Sequence, residues 1–274
     1  MRRWLLLLVV VSACGGATAG VFDPDSATDE PVGAAAPADS GLSAFLPGET
    51  MRFELRMAGV LAGEGAFTTG EPAVVDGHHA IAVSSRINTA GAFALIKDIR
   101  DEATSVIDLD TLLPMSTSGE VRFGGKAAHS QATYTGGKAL IQHTAAGQDT
   151  RSMVYDFRGE TVHDAHSAMA AMRIWPAELG SKRVFWVLGG RRIWRAEITV
   201  SGREVLGTAL GNQAALRFEG VSARARPDMT IDPARPPRTF VVWVSDDADR
   251  VPLRIVAHTE LGDLVIELVD YQRS

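Results

Sequence analysis

A large curved antiparallel β-sheet, half-barrel or barrel-like and carrying one short helix, is the fold this sequence predicts. Three observations lead there. From Leu46 onward, short runs rich in Val, Ile, Thr, Phe and Trp are broken by Gly, Asp or Pro roughly every ten residues, the texture of strands and hairpins. The run Leu264-Val265-Ile266-Glu267-Leu268-Val269-Asp270 sets one acid inside an apolar stretch, as in a strand covered on one face and partly on the other. Only Asp164 to Trp175 carries apolar residues at clear helical spacing.

The chain opens with Arg2 and Arg3, the apolar run Trp4 to Val11, and the small residues Ser12 and Ala13 before Cys14. That is the layout of a secretory signal. The run is too short to cross a bilayer, which needs ~20 helical residues. Val11-Ser12-Ala13-Cys14 resembles the lipobox of bacterial lipoproteins. The resemblance implies a signal peptide over residues 1–13, cleavage after Ala13 and lipid attachment to the Cys14 thiol. Several acyl chains at ~0.8 kcal/mol per buried CH₂ anchor such a protein stably. Gly15 is not the aspartate that often marks inner-membrane retention, so the resemblance favours the outer membrane, facing the periplasm, over the inner membrane. The competing reading is an ordinary cleavage site beside a chance cysteine. Cys14 is the only cysteine of the 274 residues, so no intramolecular disulfide forms and stability rests on packing.

Residues 14–45 read as an acidic flexible tether. They are mostly Gly, Ala, Pro, Ser, Thr and acids, among them Asp23, Asp25, Asp29, Glu30 and Asp39, with almost nothing to bury and no Lys or Arg. About 30 such residues span about 30 Å, enough to hold a domain clear of lipid headgroups. The formal charge of −6 includes Arg2 and Arg3, so processing makes the chain more acidic. Nucleic acid is excluded as a partner, because phosphate binding draws on clustered basic residues.

Residues 46–274 are expected to form the antiparallel β domain, and 46% hydrophobic content is ample for its core. A first group of strands is placed at Met51 to Met57, Gly63 to Thr69, His79 to Ile87, Ala103 to Asp108, Met115 to Phe123, Ala127 to Tyr134 and Lys138 to His143. Thr135-Gly136-Gly137-Lys138 supplies a two-residue hairpin loop. The helix follows, with Asp164 as its cap and Pro176 as its stop. A second group is placed at Arg183 to Leu188, Ile193 to Val200, Arg203 to Gly207, Ala214 to Ala223, Thr239 to Ser245, Leu253 to His258 and Leu264 to Tyr271. Asn88 to Asp98 reads as a helical turn or a loop over the sheet. No exact repeat links the groups, which are either halves of one curved sheet or two packed sheets.

Further blocks carry a resemblance. Phe45-Leu46-Pro47-Gly48-Glu49 with Phe53, Gly59 and Ala62-Gly63-Glu64 looks like the opening of the family called domain of unknown function 3108. Asp108 to Pro114 is similar to its central strand and turn. His163-Asp164-Ala165-His166-Ser167 leading to Arg173 resembles its D-x-x-S-x-x-x-x-x-R helix motif, and Trp243 to Asp246 with Arg250-Val251-Pro252 resembles its closing hairpin. The resemblance spans about Phe45 to Tyr271 and implies an exported, β-rich envelope protein without an established chemistry.

Candidate sites are few. Pro47-Gly48-Glu49 reads as a strand-initiating turn, with Glu49 pairing or capping locally. His163 and His166, three apart at a helix start, are weak metal candidates, against the plainer reading of exposed histidines flanking an Asp164 cap. Asp164, His166 and Ser167 include the residue types of a hydrolase triad, but neighbours on one helix cannot form its linear relay. Asp246-Asp247-Ala248-Asp249 reads as a solvated hairpin loop and lacks the pattern of a calcium loop. Trp186, Trp194 and Trp243 either fill a core or line a ligand groove. No catalytic residue, metal site or cofactor is assigned. The expected function is a membrane-anchored envelope lipoprotein, non-enzymatic, that binds an apolar or amphipathic ligand or a partner protein; the alternatives are an envelope hydrolase of polysaccharide or peptide, and a purely structural component.

Overall fold

The computed structural model describes residues 43–96, 98–259 and 262–273. The leader, its cleavage point at Ala13, Cys14 and nearly all of the tether lie outside the described residues. Ala44 and Phe45 are already buried, at 0% and 1% exposure. The body therefore begins two residues before the boundary that composition draws after residue 45. Phe45 packs with Ile81, Val83 and Ile107, a contact that polar and small neighbours along the chain conceal.

Among the described residues, sixteen strands form one sheet. In chain order β1 is Thr50–Met57, β2 Val60–Thr69, β3 Ala73–Val75 and β4 His78–Thr89. Helix α1, Gly91–Ile96, leads to β5 Ile99–Asp108, β6 Pro114–Phe123, β7 Lys126–Thr135, β8 Lys138–Ala145 and β9 Arg151–Asp156. After β10, Val162–His163, comes helix α2, Ala165–Arg173. The remaining strands are β11 Lys182–Gly189, β12 Arg192–Thr208, β13 Gly211–Ala225, β14 Arg238–Ser245, β15 Pro252–Thr259 and β16 Gly262–Gln272. Their spatial order is β10-β11-β12-β13-β14-β15-β16-β1-β2-β4-β5-β6-β7-β8-β9, with β3 paired only to β4. Antiparallel pairing of β16 with β1 joins the two sequence groups into one sheet. Among the described residues, only the two-residue contact of β10 with β11 is parallel.

Local chemistry accounts for most boundaries. Gly136 and Gly137 both take positive φ, +54° and +71°, as the tight turn between β7 and β8 requires. Ser201-Gly202, which the sequence suggests as a break, lies instead inside the 17-residue β12, where a register shift between Val200 and Gly202 absorbs it as a bulge. Gly220 on β13 leaves room for the Phe240 ring of β14; a Cβ there would stand 2.1 Å from its Cζ. Helix α1, six residues long, lies in the Asn88–Asp98 stretch, where a helical turn or a loop over the sheet was expected.

The strip of strands rolls up and overlaps itself. Thr69, Val83, Ser105, Thr117, Ala132, Ile141 and Met153 are successive cross-strand partners, so they share one face from β2 to β9. Near β4 and β5 that face packs on Ala170 of α2. At β7 to β9 the same face covers Trp186 and Leu188 of β11. The alternate residues of β11, Phe185 and Val187, point the other way, into the cluster around Met172 and Trp175 of the α2 segment. The two ends thus close by side-chain packing, helped by the Tyr155 hydroxyl donating to the Arg191 carbonyl at 2.8 Å, and α2 is enclosed within the roll.

Helix α2 is capped as its sequence predicts. Asp164 is extended, its carboxylate accepts the Ser167 N–H at 2.7 Å, and the Ser167 hydroxyl accepts the Asp164 N–H at 3.0 Å. This reciprocal box satisfies two of the orphan amides at a helix start.

Candidate functional site

Enclosure gives α2 two different kinds of side. Ser167 and Ala171 pack against the sheet, while Ala165, His166, Ala168, Met169, Ala170, Met172 and Arg173 border a cavity of about 200 Å³. The opposite wall comes from the inner sheet: Phe53 and Leu55 of β1, Phe67 of β2, Ile87 of β4, Phe185 and Val187 of β11, Ala196 and Ile198 of β12, Phe240 and Val242 of β14, Ile255 of β15 and Ile266 of β16. Alternation along each strand projects these apolar side chains inward. The result is an apolar chamber that suits an alkyl chain or ring.

Four polar side chains border it: Ser85, Arg86, His166 and Arg173. His166 Nε2 lies 2.8 Å from Ser85 Oγ, and its Nδ1 lies 2.6 Å from Ser105 Oγ. Burial lowers the His166 pKa, opposed by the nearby Asp164 charge. A neutral imidazole has one donor and one acceptor nitrogen, and the two serines take both. The Phe67 ring meets this imidazole edge-on at 5.7 Å. Ser85 beside a histidine has the residue types of a nucleophile and its base, but the groups needed for acyl transfer are not assembled. A serine rather than a carboxylate holds the second nitrogen, and Ser85 lies inside a strand paired on both sides, without a sharp turn to present an oxyanion donor.

The polar side of α2 ends in a buried ion pair. Arg173 donates to both Glu49 carboxylate oxygens, at 2.7 and 2.9 Å, and their side chains are 2% and 0% exposed. The Tyr271 hydroxyl adds a bond to Glu49 at 3.0 Å, and Arg173 Nε reaches the Asp249 carbonyl at 3.0 Å. Pro47-Gly48 does form the expected turn, closed by the Glu49 N–H on the Leu46 carbonyl at 3.1 Å. Glu49 itself, however, pairs 124 residues away rather than locally, because the turn points its side chain into the roll.

The histidines need the same correction. His163 and His166 are 4% and 5% exposed, not solvated. His163 Nδ1 faces Ser167 Oγ at 3.2 Å, and burial lowers its pKa to about 4, opposed by Asp164. Both are committed to serines, and among the described residues no group of three His, Cys, Asp or Glu side chains gathers to hold a metal. The tryptophans also lie away from the cavity. Trp186 fills the overlap seam, Trp194 is buried beneath the Arg238 guanidinium, and Trp243 bonds Glu204 and lies under Arg217. Aromatic content marked them, but each points to the wrong part of the sheet. In the Asp246–Asp249 loop, Asp247 accepts the N–H groups of Asp249 and Arg250 at 3.0 Å, and Arg203 and Arg273 hold Asp246 and Asp249. That is the hairpin loop the sequence indicates.

Sequence reasoning missed Asp101. It lies on β5 directly across from Ile87 of the cavity wall and is 5% exposed. Burial raises its pKa to about 7. Alternation along Ile99-Arg100-Asp101-Glu102 is the one signal that was available, since the strand would turn Arg100 and Glu102 to one face and Asp101 to the other.

A family model described as "Protein of unknown function (DUF3108)" matches residues 52–269. The chain belongs to the DUF3108 family. The matched range takes in Arg173 and all of the cavity wall except Phe45 and Met51, and starts just after Glu49. No curated protein matches the chain. Among solved structures, a β-barrel-like protein of domain of unknown function DUF1849 from Brucella abortus is 9% identical, with 82% of this chain and 96% of that chain covered at a TM-score of 0.52. That likeness places this DUF3108 protein in a β-barrel-like fold. The hypothetical lipoprotein YmcC from Escherichia coli is 12% identical, with 84% and 88% covered and a TM-score of 0.29, too distant to carry an argument.

Proposed function

We propose that this DUF3108 protein is a non-enzymatic envelope lipoprotein that holds the apolar part of a lipid-like ligand in the chamber between α2 and the inner sheet. The chamber carries the reading. Apolar walls around a space of about 200 Å³ lack the close contacts that a filled core would give them, which is a cost to the folded state. An occupant that supplies apolar contacts recovers much of that cost, whereas a purely structural barrel gains nothing by keeping the space open. The membrane half of the proposal rests on sequence: Arg2 and Arg3, the short apolar run and the lipobox-like Val11 to Cys14. A lipidated Cys14 and a tether of about 30 Å would keep the chamber near the bilayer from which such a ligand comes, with the outer membrane facing the periplasm as the favoured address.

Two measurements test the halves separately. Cells fed a clickable fatty acid should label the wild type and leave Cys14→Ser unlabelled. Purified protein without its acyl groups should take up an environment-sensitive apolar fluorophore, and octanol should displace it. Absence of label overturns the anchor, and absence of uptake overturns the carrier.

A further inference from the structure

Just beyond the chamber, on the same inner face of the sheet, stands a group of hydrogen-bond donors. Val187, Ala196 and Phe240 line the chamber. Trp194 of β12 is the cross-strand partner of Val187, Ser222 of β13 is the partner of Ala196, and Arg238 of β14 lies two residues before Phe240. Direct partners hold their Cβ atoms about 5 Å apart on one face, and residues two apart on a strand share that face. Arg224 pairs with Trp194, Arg238 pairs with Ser222, and Arg192 lies two residues before Trp194. Register thus gathers three guanidinium groups, an indole and a hydroxyl at the chamber's edge, toward the β11–β12 turn.

Two of these groups are buried without a partner. Ser222 is 0% and Trp194 4% exposed, and neither the Ser222 hydroxyl nor Trp194 Nε1 has a hydrogen bond among the described residues. The Arg238 guanidinium lies over the Trp194 ring, 5.6 Å from its centroid. Half-buried Arg192 and Arg224, with Arg191 and Arg235 at the exposed rim, form no ion pair among the described residues. Acids in the adjoining stretches are engaged elsewhere: Glu197 with Arg195 at 3.6 Å, Asp232 with Arg226 at 3.9 Å, and Asp228 with Thr230. Burial lowers the Arg192 pKa, and the charges of Arg224, Arg191, Arg235 and Arg238 lower it further. The arginines of the chamber wall itself differ, since Arg86 is answered by Glu102 at 2.9 Å and Arg173 by Glu49.

Buried donors without acceptors are costly, and clustered cations repel one another; an anion with several oxygens relieves both. Guanidinium forks match phosphate oxygens two at a time. We propose that Arg192, Arg224 and Arg238, with Trp194 Nε1 and the Ser222 hydroxyl, bind the phosphate group of a single-chain amphiphile whose alkyl chain lies in the chamber. This rests on the carrier reading above and adds the chemistry of the head.

Octyl phosphate, octanol and inorganic phosphate separate the head from the chain. Calorimetric titration of the purified protein without its acyl groups, at neutral pH, should show octyl phosphate binding about tenfold tighter than octanol, the size of one modest charge-assisted contact. Inorganic phosphate should bind more weakly than octyl phosphate. Arg192→Gln combined with Arg224→Gln should bring octyl phosphate to the affinity of octanol and leave octanol unchanged, which also shows that the variant is folded. If octanol binds while octyl phosphate is no tighter, or if the double variant keeps the preference, the head assignment is wrong and the carrier reading stands. If inorganic phosphate binds as tightly as octyl phosphate, the site takes free phosphate and the amphiphile is the wrong ligand. If none of the three binds, both readings are wrong.

Discussion

Replacing Asp101 with Asn should make the protein more stable at neutral and alkaline pH and leave it unchanged in acid. The carboxyl rises from 3.8 to about 7 because burial disfavours its charge. Below pH 3.8 the folded and unfolded chains are both protonated and the site costs nothing by ionisation. Between 3.8 and about 7 the unfolded chain ionises while the folded one keeps its proton, so stability falls as pH rises and levels off above about 7. At about 1.4 kcal/mol for each pH unit of that window, the loss is about 4 kcal/mol. Asn has nearly the same shape and does not titrate. Urea unfolding of both proteins in one buffer series from pH 4 to pH 8 gives the difference directly, and subtraction removes every other titrating group. The variant should gain about 4 kcal/mol over the wild type on passing from pH 4 to pH 8, with unchanged m-values. A difference that stays flat across the range, or grows toward acid, would refute the burial of this carboxyl.

Three other perturbations test separate parts of the structure. Glu49→Ala, which strands Arg173 inside the roll, should cost about 3–5 kcal/mol in chemical unfolding, while joint replacement by Glu49→Leu and Arg173→Met should restore most of it; a single-variant loss under 1 kcal/mol would contradict the buried pair. Ala168→Phe, directed into the chamber, should abolish octanol binding while thermal stability holds or rises; retained binding would mean that octanol sits elsewhere. His163 behaves oppositely to Asp101: its folded pKa of about 4 lies below the ordinary 6.5, so stability present above pH 6.5 is lost as pH falls toward 4. His163→Gln should remove about 3 kcal/mol of that acid sensitivity, and identical acid-unfolding profiles would show that His163 is not buried in its neutral form.

Strands and hairpins were legible because period-two alternation and glycine turns are local properties. Gly136-Gly137 shows the limit of what such signals need: two residues decide a turn. Closure of the sheet was not legible, since the contact of Tyr155 with Arg191 or of Ala132 with Trp186 belongs to no short window of sequence. The same reason hid the partner of Glu49. The turn could be read from Pro47 and Gly48, but a bond to Arg173 depends on how the whole strip rolls. Helix α2 was found by its apolar spacing, and that spacing turned out to mark the side facing the chamber. Its polar side looked solvent-exposed because His163, His166 and Arg173 ordinarily are; only enclosure on every side makes them interior residues. The tryptophans misled in the opposite way. Their size allowed either a core or a binding wall, and the wall is lined instead by phenylalanines such as Phe53 and Phe240 together with small residues, Ala168 and Ala196 among them, that leave space.

Native mass spectrometry of the protein released intact from its own membrane tests the central claim most directly. The account predicts a fraction carrying one added mass in the range of a single-chain lipid, released by organic solvent and missing from Ala168→Phe prepared in the same way. A bare protein mass for the wild type, or an added mass that Ala168→Phe retains unchanged, would contradict it.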